Sequence, residues 1–403
     1  MRVLFLDASY PGRLGPLAGR LAALPGNEVL FASSRQRREY SQPGVRRVLL
    51  RRPAPRRREC VGEQPALPTL WQEALKTGEY AAATLTTVAE RGFVPDIIFS
   101  HAASGAAFFV PQLFPAAFHV AYADPGPRGA ALSSSSARRV QLDMQSLQFL
   151  HSNLCFAFSE RRKEQFPARL SAAIQLMPPF VDTDAFAPAE EQAADAESSA
   201  PSAFAVRESP LVIINARGLA PEQAGEALSL ALALLAASGT RVALLTENAR
   251  QTQRAEEAVR ARAADVANRL LVADFLSFPE YRDLLARATV ALCPPRREPA
   301  TSFMLEAMSC EVLLMARAEA VNFLRPGVNM MELAGGSAAD MAQAVLQTLA
   351  SGQPRGRARE FLPVTRMARR NVLAHFSEAK VIPRHLAHVM QACAAWKKGR
   401  ARA

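Results

Sequence analysis

Short apolar runs recur along the chain, and stretches with helical spacing of their apolar positions separate them. In the first half the runs fall at residues 3–6, 28–32, 45–50, 96–100, 118–122 and 154–158. Helices are predicted from the turn at 11–15 through Leu24, over 68–91 and over 142–153. The second half restarts at 211–215 and continues with runs at 241–245, 270–273, 289–293 and 312–315, with a helix predicted over 222–238. Nearly continuous apolar runs mark strands buried on both faces, as in parallel sheets. Strands alternating with helices predict an α/β fold of doubly wound domains. Residues 188–210 shift to Ala, Glu, Ser and Pro with little apolar pattern, the composition of a linker. The expected organisation is therefore a Rossmann-like domain over 1–187, a linker over 188–210, a second Rossmann-like domain over 211–375, and a C-terminal helix with a basic tail over 376–403. Two such domains are expected to face each other across a cleft.

Length supports the division, since 403 residues exceed one ordinary domain. No apolar run approaches a membrane span. The opening Met1-Arg-Val-Leu-Phe-Leu-Asp7 meets an acid after a short apolar stretch, so it reads as a first strand and not as a signal peptide. Five scattered cysteines without a C-x-x-C pair point to a reducing compartment with neither a disulfide framework nor a zinc site, and so to the cytoplasm. The net charge of +11 is uneven: ten arginines lie between Arg35 and Arg58, and the chain ends Lys397-Lys398-Gly-Arg400-Ala-Arg402. Such clusters either attract phosphate-rich partners, an anionic membrane surface among them, or form a solvated Arg-rich face. Aromatic residues do not interleave with these arginines and no helix-turn-helix signature accompanies them, which argues against sequence-specific nucleic-acid binding.

The chemistry concentrates in Glu298-Pro-Ala-Thr-Ser-Phe-Met-Leu-Glu306, which joins the run at 289–293 to a helix through Met304-Leu-Glu-Ala-Met308. Ligands of open α/β sheets sit beyond the carboxyl ends of the strands, where both glutamates are expected. An ionised carboxylate accepts several hydrogen bonds and suits sugar and ribose hydroxyls. Taken alone, the pair is better explained as a solvated loop glutamate and a helix-surface glutamate.

Several segments in order resemble family 4 of the retaining GT-B glycosyltransferases. They are Gly92-Phe-Val-Pro-Asp96 with the strand to His101, Gln165-Phe-Pro167, and Val181-Asp182-Thr-Asp184-Ala-Phe186-Ala-Pro188. In the second half they are Ala216-Arg217-Gly-Leu-Ala-Pro221, Glu306-Ala-Met-Ser-Cys310, and Phe376-Ser377 before the last helix. The resemblance implies a GT-B architecture and sugar transfer from a nucleotide-sugar donor to a glycan, lipid-linked or protein acceptor, as in bacterial polysaccharide assembly. It implies that Glu306 holds the donor ribose, that Glu298 and His101 contact the donor sugar, and that Arg217 stabilises the departing diphosphate. Gly12 and Gly15 would let backbone approach donor phosphates or acceptor. No metal or other cofactor is implied, and a cytoplasmic enzyme at the inner membrane face is expected. Without the resemblance, His101 reads as a strand cap, Arg217 as an ion-pair residue, and Gly12 and Gly15 as turn chemistry.

The family pattern is broken in places. Gln223 stands where a second cation is usual, and Thr246-Glu-Asn-Ala-Arg250 replaces a glycine-rich turn, with Arg250 as a partial substitute. Glu311 stands for a glycine, Ala316-Arg-Ala-Glu-Ala320 for a run of small residues, and Ala102-Ala-Ser-Gly105 for an aromatic-glycine pair. These departures lie on the donor side and keep open a second reading, a noncatalytic binding or scaffold protein of the same fold.

Overall fold

The structure is a computed structural model that describes all residues except 37–40, 51–66, 103–104, 124–134, 190–208, 237–238, 263–267, 296–299, 334–335, 351–358 and 401–403. The arginines at 51–58, most of the expected linker and Glu298 therefore lie outside the described residues. The chain divides into two compact units, one of residues 1–178 with 381–403 and the other of residues 179–380.

The first unit runs β1 (Arg2–Tyr10), α1 (Gly15–Ala22), β2 (Glu28–Gln36), β3 (Val45–Leu49), α2 (Leu67–Glu90), β4 (Ile97–His101), α3 (Val110–Leu113), β5 (Phe118–Tyr122), α4 (Ser135–Leu150), β6 (Leu154–Ala157), α5 (Glu160–Lys163), α6 (Ala168–Ala173) and β7 (Gln175–Leu176). Its sheet is parallel throughout, in the order β3-β2-β1-β4-β5-β6-β7. The second unit runs β8 (Leu211–Asn215), α7 (Pro221–Ala236), β9 (Arg241–Leu245), α8 (Ala249–Arg262), β10 (Leu270–Ala273), α9 (Phe278–Arg287), β11 (Val290–Leu292), α10 (Thr301–Ser309), β12 (Leu313–Ala316), β13 (Met331–Glu332), α11 (Ala338–Ala350) and α12 (Leu362–His375). Its parallel order, β10-β9-β8-β11-β12-β13, is the doubly wound arrangement whose strand order reverses between β8 and β11. The α/β class and the strands of the apolar runs are thus as expected. The short edge strands β7 and β13, two residues each, carry too little pattern to be predicted.

Helix α13 (Glu378–Arg400) follows α12 and changes the expected division. From Val381 onward it belongs to the first unit, and the chain passes to the second unit at Pro179, earlier than 187. Both shifts have a packing cause. Phe31, Phe5, Phe99, Tyr122 and Phe156 stack as a row across β2, β1, β4, β5 and β6, with successive centroids 5.8, 4.8, 6.4 and 5.5 Å apart. Alternation along each strand puts these rings on one face of the sheet, and α13 meets that face. The His385 ring stands edge-on to Phe156 at 4.5 Å and its Nε2 is hydrogen-bonded to the Tyr122 hydroxyl. Trp396 meets Phe118 at 5.6 Å. Burial, with His388 adding to it, lowers the His385 pKa to about 4, so the ring is neutral. The basic end of the helix is tied down as well: Lys397 pairs with Asp96 at 3.4 Å and Arg400 donates to the Pro115 carbonyl at 2.9 Å. At the other boundary Phe186 is buried in the core of the second unit, and the Val181 N–H donates to the Phe376 carbonyl at 2.9 Å.

Glu378 opens α13 beside Asp182 and Asp184. Burial first, and then those two carboxylates, raise its pKa to about 7. A carboxyl raised in the folded state binds its proton there after the unfolded chain has lost it, so stability falls as pH rises between the two pKa values. Thermal melts should therefore show Glu378→Gln gaining on the parent from about pH 4.5 to about pH 7, with the difference constant above that. A difference that does not change with pH would contradict the assignment.

Candidate functional site

Of the residues singled out in the second unit, Arg217 and Glu306 converge beyond the carboxyl ends of its strands. Arg217 follows β8, in a turn whose N–H at Arg217 donates to Asn215 Oδ1 at 3.1 Å. Its guanidinium lies over the Tyr281 ring, 5.7 Å from the centroid, and Nη2 donates to the Asp274 carbonyl beyond β10 at 3.4 Å. The Tyr281 hydroxyl donates a short hydrogen bond to Glu306 Oε2. Tyr281 is therefore the piece that joins the arginine to the carboxylate, and no family motif pointed to it. The signal lay in Ser277-Phe-Pro-Glu280: a Ser277/Glu280 capping box starts α9 and fixes the helix on which Tyr281 sits.

A second layer holds Tyr281. The Phe186 ring meets it edge-on at 6.0 Å. The Ser309 hydroxyl donates to the Phe186 carbonyl at 2.6 Å, which ties Phe186 to α10, the helix carrying Glu306. The segment from Asp182 to Phe186 is itself a turn, with Asp182 Oδ1 accepting from the N–H groups of Asp184 and Ala185. The Asp-x-x-x-Phe motif, grouped in the sequence with the first-half segments, thus packs against Tyr281 in the second unit.

Electrostatically the cluster is a carboxylate short of water. Burial raises the Glu306 pKa, while the Tyr281 hydrogen bond and the Arg217 charge pull against it. The Tyr281 phenol is pushed well above its ordinary value by burial and by Glu306. Such a carboxylate favours hydroxyl donors, and the planar guanidinium favours oxyanions.

The departures from the family pattern also find places. Gln223 Nε2 donates to the Pro295 carbonyl and its Oε1 accepts from the Ala220 N–H, both at 3.3 Å, so the amide braces two loops and carries no charge. Glu247 Oε2 accepts the Gly218 N–H at 2.8 Å, next to Arg217. Arg250 is exposed on α8, and no hydrogen bond or ion pair among the described residues joins it to the cluster. Glu311 keeps the left-handed backbone of the glycine it replaces, with φ 55°. The Val312 N–H to Ala307 and the Glu311 N–H to Met308 close the end of α10 there.

In the first unit His101 ends β4, buried, with Nε2 unpartnered among the described residues. Gly12 has φ +51°, and a Cβ there would fall 2.4 Å from Asp7 Oδ2 and 2.5 Å from the Ser9 carbonyl oxygen. A Cβ on Gly15 would lie 2.4 Å from Pro11 Cβ. Both positions demand glycine for the packing of their own turn. Among the described residues no group of three His, Cys, Asp or Glu side chains is placed to hold a metal, and no helix is long and apolar enough to cross a membrane.

Residues 25–125 match the family described as glycosyl transferase family 4 group, and residues 211–351 match glycosyl transferases group 1. No curated protein is significantly similar in sequence. Among solved structures, sucrose-phosphate synthase from Thermosynechococcus elongatus superposes with a TM-score of 0.72 at 15% identity, covering 98% of this chain and 100% of that one. HepE from Anabaena, solved with UDP and glucose, gives 0.67 at 14%, covering 97% and 100%. UDP-GlcNAc 2-epimerase from Neisseria meningitidis, bound to UDP-GlcNAc, gives 0.62 at 14%, covering 97% and 100%. At such identities the likeness is one of fold.

Because its hydroxyl bond lowers the Glu306 pKa, removing it in Tyr281→Phe should raise that carboxyl further. Carbon-13 NMR titration of labelled glutamate reads this directly, and an unmoved or lowered Glu306 would break the proposed link.

Proposed function

Since the chain belongs to the glycosyltransferases of family 4 and group 1, we propose that it moves a sugar from a nucleotide-sugar donor to a glycan, lipid-linked or protein hydroxyl, with retention at the anomeric carbon. The observation that carries this reading is the Arg217–Tyr281–Glu306 cluster beyond the carboxyl ends of the second sheet. Glu306 has acceptor positions for the ribose hydroxyls while Tyr281 fixes its rotamer. Arg217 is placed next to the β8 turn, where the diphosphate would lie. In transfer, the bond from the anomeric carbon to the diphosphate oxygen breaks and the nucleoside diphosphate leaves with the electron pair, while the acceptor oxygen bonds the anomeric carbon and its proton passes to the departing phosphate. A fixed guanidinium stabilises that growing negative charge more than the charge of the bound donor, which is what lowers a barrier. Sugar contacts by Glu298 and His101, use of Arg250, and independence from a metal rest on the family resemblance alone.

A uridine diphosphate sugar is the donor to try first, because HepE was solved with UDP-glucose and the epimerase with UDP-GlcNAc. The net charge of +11 suits a cytoplasmic enzyme working beside an anionic membrane surface.

The test is a thermal-shift screen against UDP, GDP, ADP and CMP with their common sugars. A ligand that binds only the folded state raises the melting temperature by mass action. One nucleotide sugar should give a clear rise, and Glu306→Gln should weaken it by roughly ten- to hundredfold, as expected for losing about 1.5–3 kcal/mol of charge-assisted hydrogen bonding. If no nucleotide sugar shifts the melt, the donor site is lost.

The noncatalytic reading has its own support in Gln223 and Glu247, which leave the diphosphate side with one fewer cation and one nearby acid. If the missing charge limits the rate, Gln223→Lys should raise donor turnover, measured as nucleotide release, on the order of tenfold. Unchanged release would show that this position does not limit the rate.

A further inference from the structure

The proposed transfer leaves one charged contact beside Arg217 without a task. Residues Ala216 to Leu219 form a β-turn, closed by the Leu219 N–H donating to the Ala216 carbonyl at 3.3 Å. Gly218 is its third residue, left-handed at φ +75°. Such a turn makes no use of the N–H of its third residue, so the Gly218 N–H takes its acceptor from elsewhere. Glu247 supplies it, with Oε2 at 2.8 Å. A Cβ on Gly218 would meet no atom within 4 Å, so the turn borders open space.

Glu247 is brought there by the turn after β9. Its own N–H donates to Gln251 Oε1 at 3.0 Å, and the preceding Thr246 hydroxyl is hydrogen-bonded to that of Thr252 at 2.6 Å. Strand β9 lies beside β8, so the carboxylate reaches the strand ends that also carry Arg217. The Arg217 guanidinium is turned to Tyr281 and the Asp274 carbonyl, and no ion pair joins it to Glu247. What holds the carboxylate is a backbone N–H, a group that binds carboxylate and phosphate oxygens alike. Glu247 is half-buried, so when it lets go its carboxylate is taken up by water and not stranded.

We propose that Glu247 is a resident stand-in for the donor diphosphate: its carboxylate occupies the Gly218 N–H that a diphosphate oxygen takes in the bound state, and the donor displaces it on entry. The proposal rests on the donor-site reading and adds to it the residue that sets diphosphate affinity. Two anions on one N–H repel each other, so the carboxylate swings out to water as the diphosphate arrives. Apparent affinity is then reduced by the fraction of molecules in which the N–H is already taken. The same competition acts on the product, since Glu247 regains the N–H as the nucleoside diphosphate departs.

The experiment is calorimetric titration of the full chain with UDP, GDP and ADP, paired with NMR of the Gly218 amide in nitrogen-15-labelled protein. The nucleoside diphosphate that binds should bind Glu247→Ala about tenfold tighter than the parent, as when the N–H is open in roughly a tenth of the parent molecules. Glu247→Gln, which keeps the size of the side chain and removes its charge, should shift affinity in the same direction. Glu256→Ala removes an equal charge from α8, where Glu256 pairs with Arg260, and should leave affinity unchanged. The Gly218 amide signals of parent and Glu247→Ala should differ in the free proteins and converge at saturation, because phosphate then holds the N–H in both. Binding by the variants alone would support the proposal as well. Unchanged or weaker binding in both Glu247 variants, an equal gain from Glu256→Ala, or amide signals that stay apart at saturation would each overturn it and leave the donor reading standing. Binding of no nucleotide to any of the proteins would sink the donor reading and this proposal with it.

Discussion

The row of rings Phe31, Phe5, Phe99, Tyr122 and Phe156 is the contact on which the first unit depends. A parallel sheet must be covered on both faces, because its strands are apolar on both. Five aromatic rings on one face make a broad surface that helices from the first half of the chain do not cover alone, and α13 from the far end of the sequence lies on it. The hydrogen bond between Tyr122 and His385 satisfies two buried polar groups at once, which is why a tyrosine and a histidine are tolerated in that layer. The opposite face takes α2 and α4.

The second unit follows the same constraint with a different outcome. Its strands are apolar and covered, and its chemistry is pushed to the strand ends, the place where side chains can be both held and reachable. Arg217 and Glu306 come from elements far apart in sequence, and Tyr281 is what turns them into one site. Phe186 buttresses Tyr281 from the segment where the chain enters this unit. The local charge is modest: Gln223 has become a structural amide, and Glu247 takes the Gly218 N–H. Glu311 shows the same history in the backbone. It holds a left-handed conformation suited to glycine, which for other residues costs about 1–2 kcal/mol, because the end of α10 requires it.

The apolar runs at 118–122 and 211–215 coincide with β5 and β8, and the runs at 28–32 and 241–245 locate β2 and β9. Strands of this kind are readable because burial on both faces leaves an unbroken apolar signature. Arg217, in the turn after β8, and Glu306, on the helix that follows β11, could be singled out as well. His101 was legible only as a position, and the structure leaves it buried at the end of β4. Gly12 and Gly15 were legible as glycines, but the close approaches of Asp7, Ser9 and Pro11 that require them were not. Tyr281 and Phe186 escaped as site residues because neither carries charge and both act through packing.

The sequence by itself therefore determined the class of fold and the number of units, which depend on local pattern, and it pointed to Arg217 and Glu306 from their places after β8 and β11. The tertiary structure alone decided that α13 covers the first sheet, that the units divide at Pro178 and Lys380, that Tyr281 links Arg217 to Glu306, and that Glu247 takes the Gly218 N–H. Each of these is a contact between residues distant in the chain. Such contacts are selected by which faces remain uncovered once the local elements have formed, and no local pattern records that.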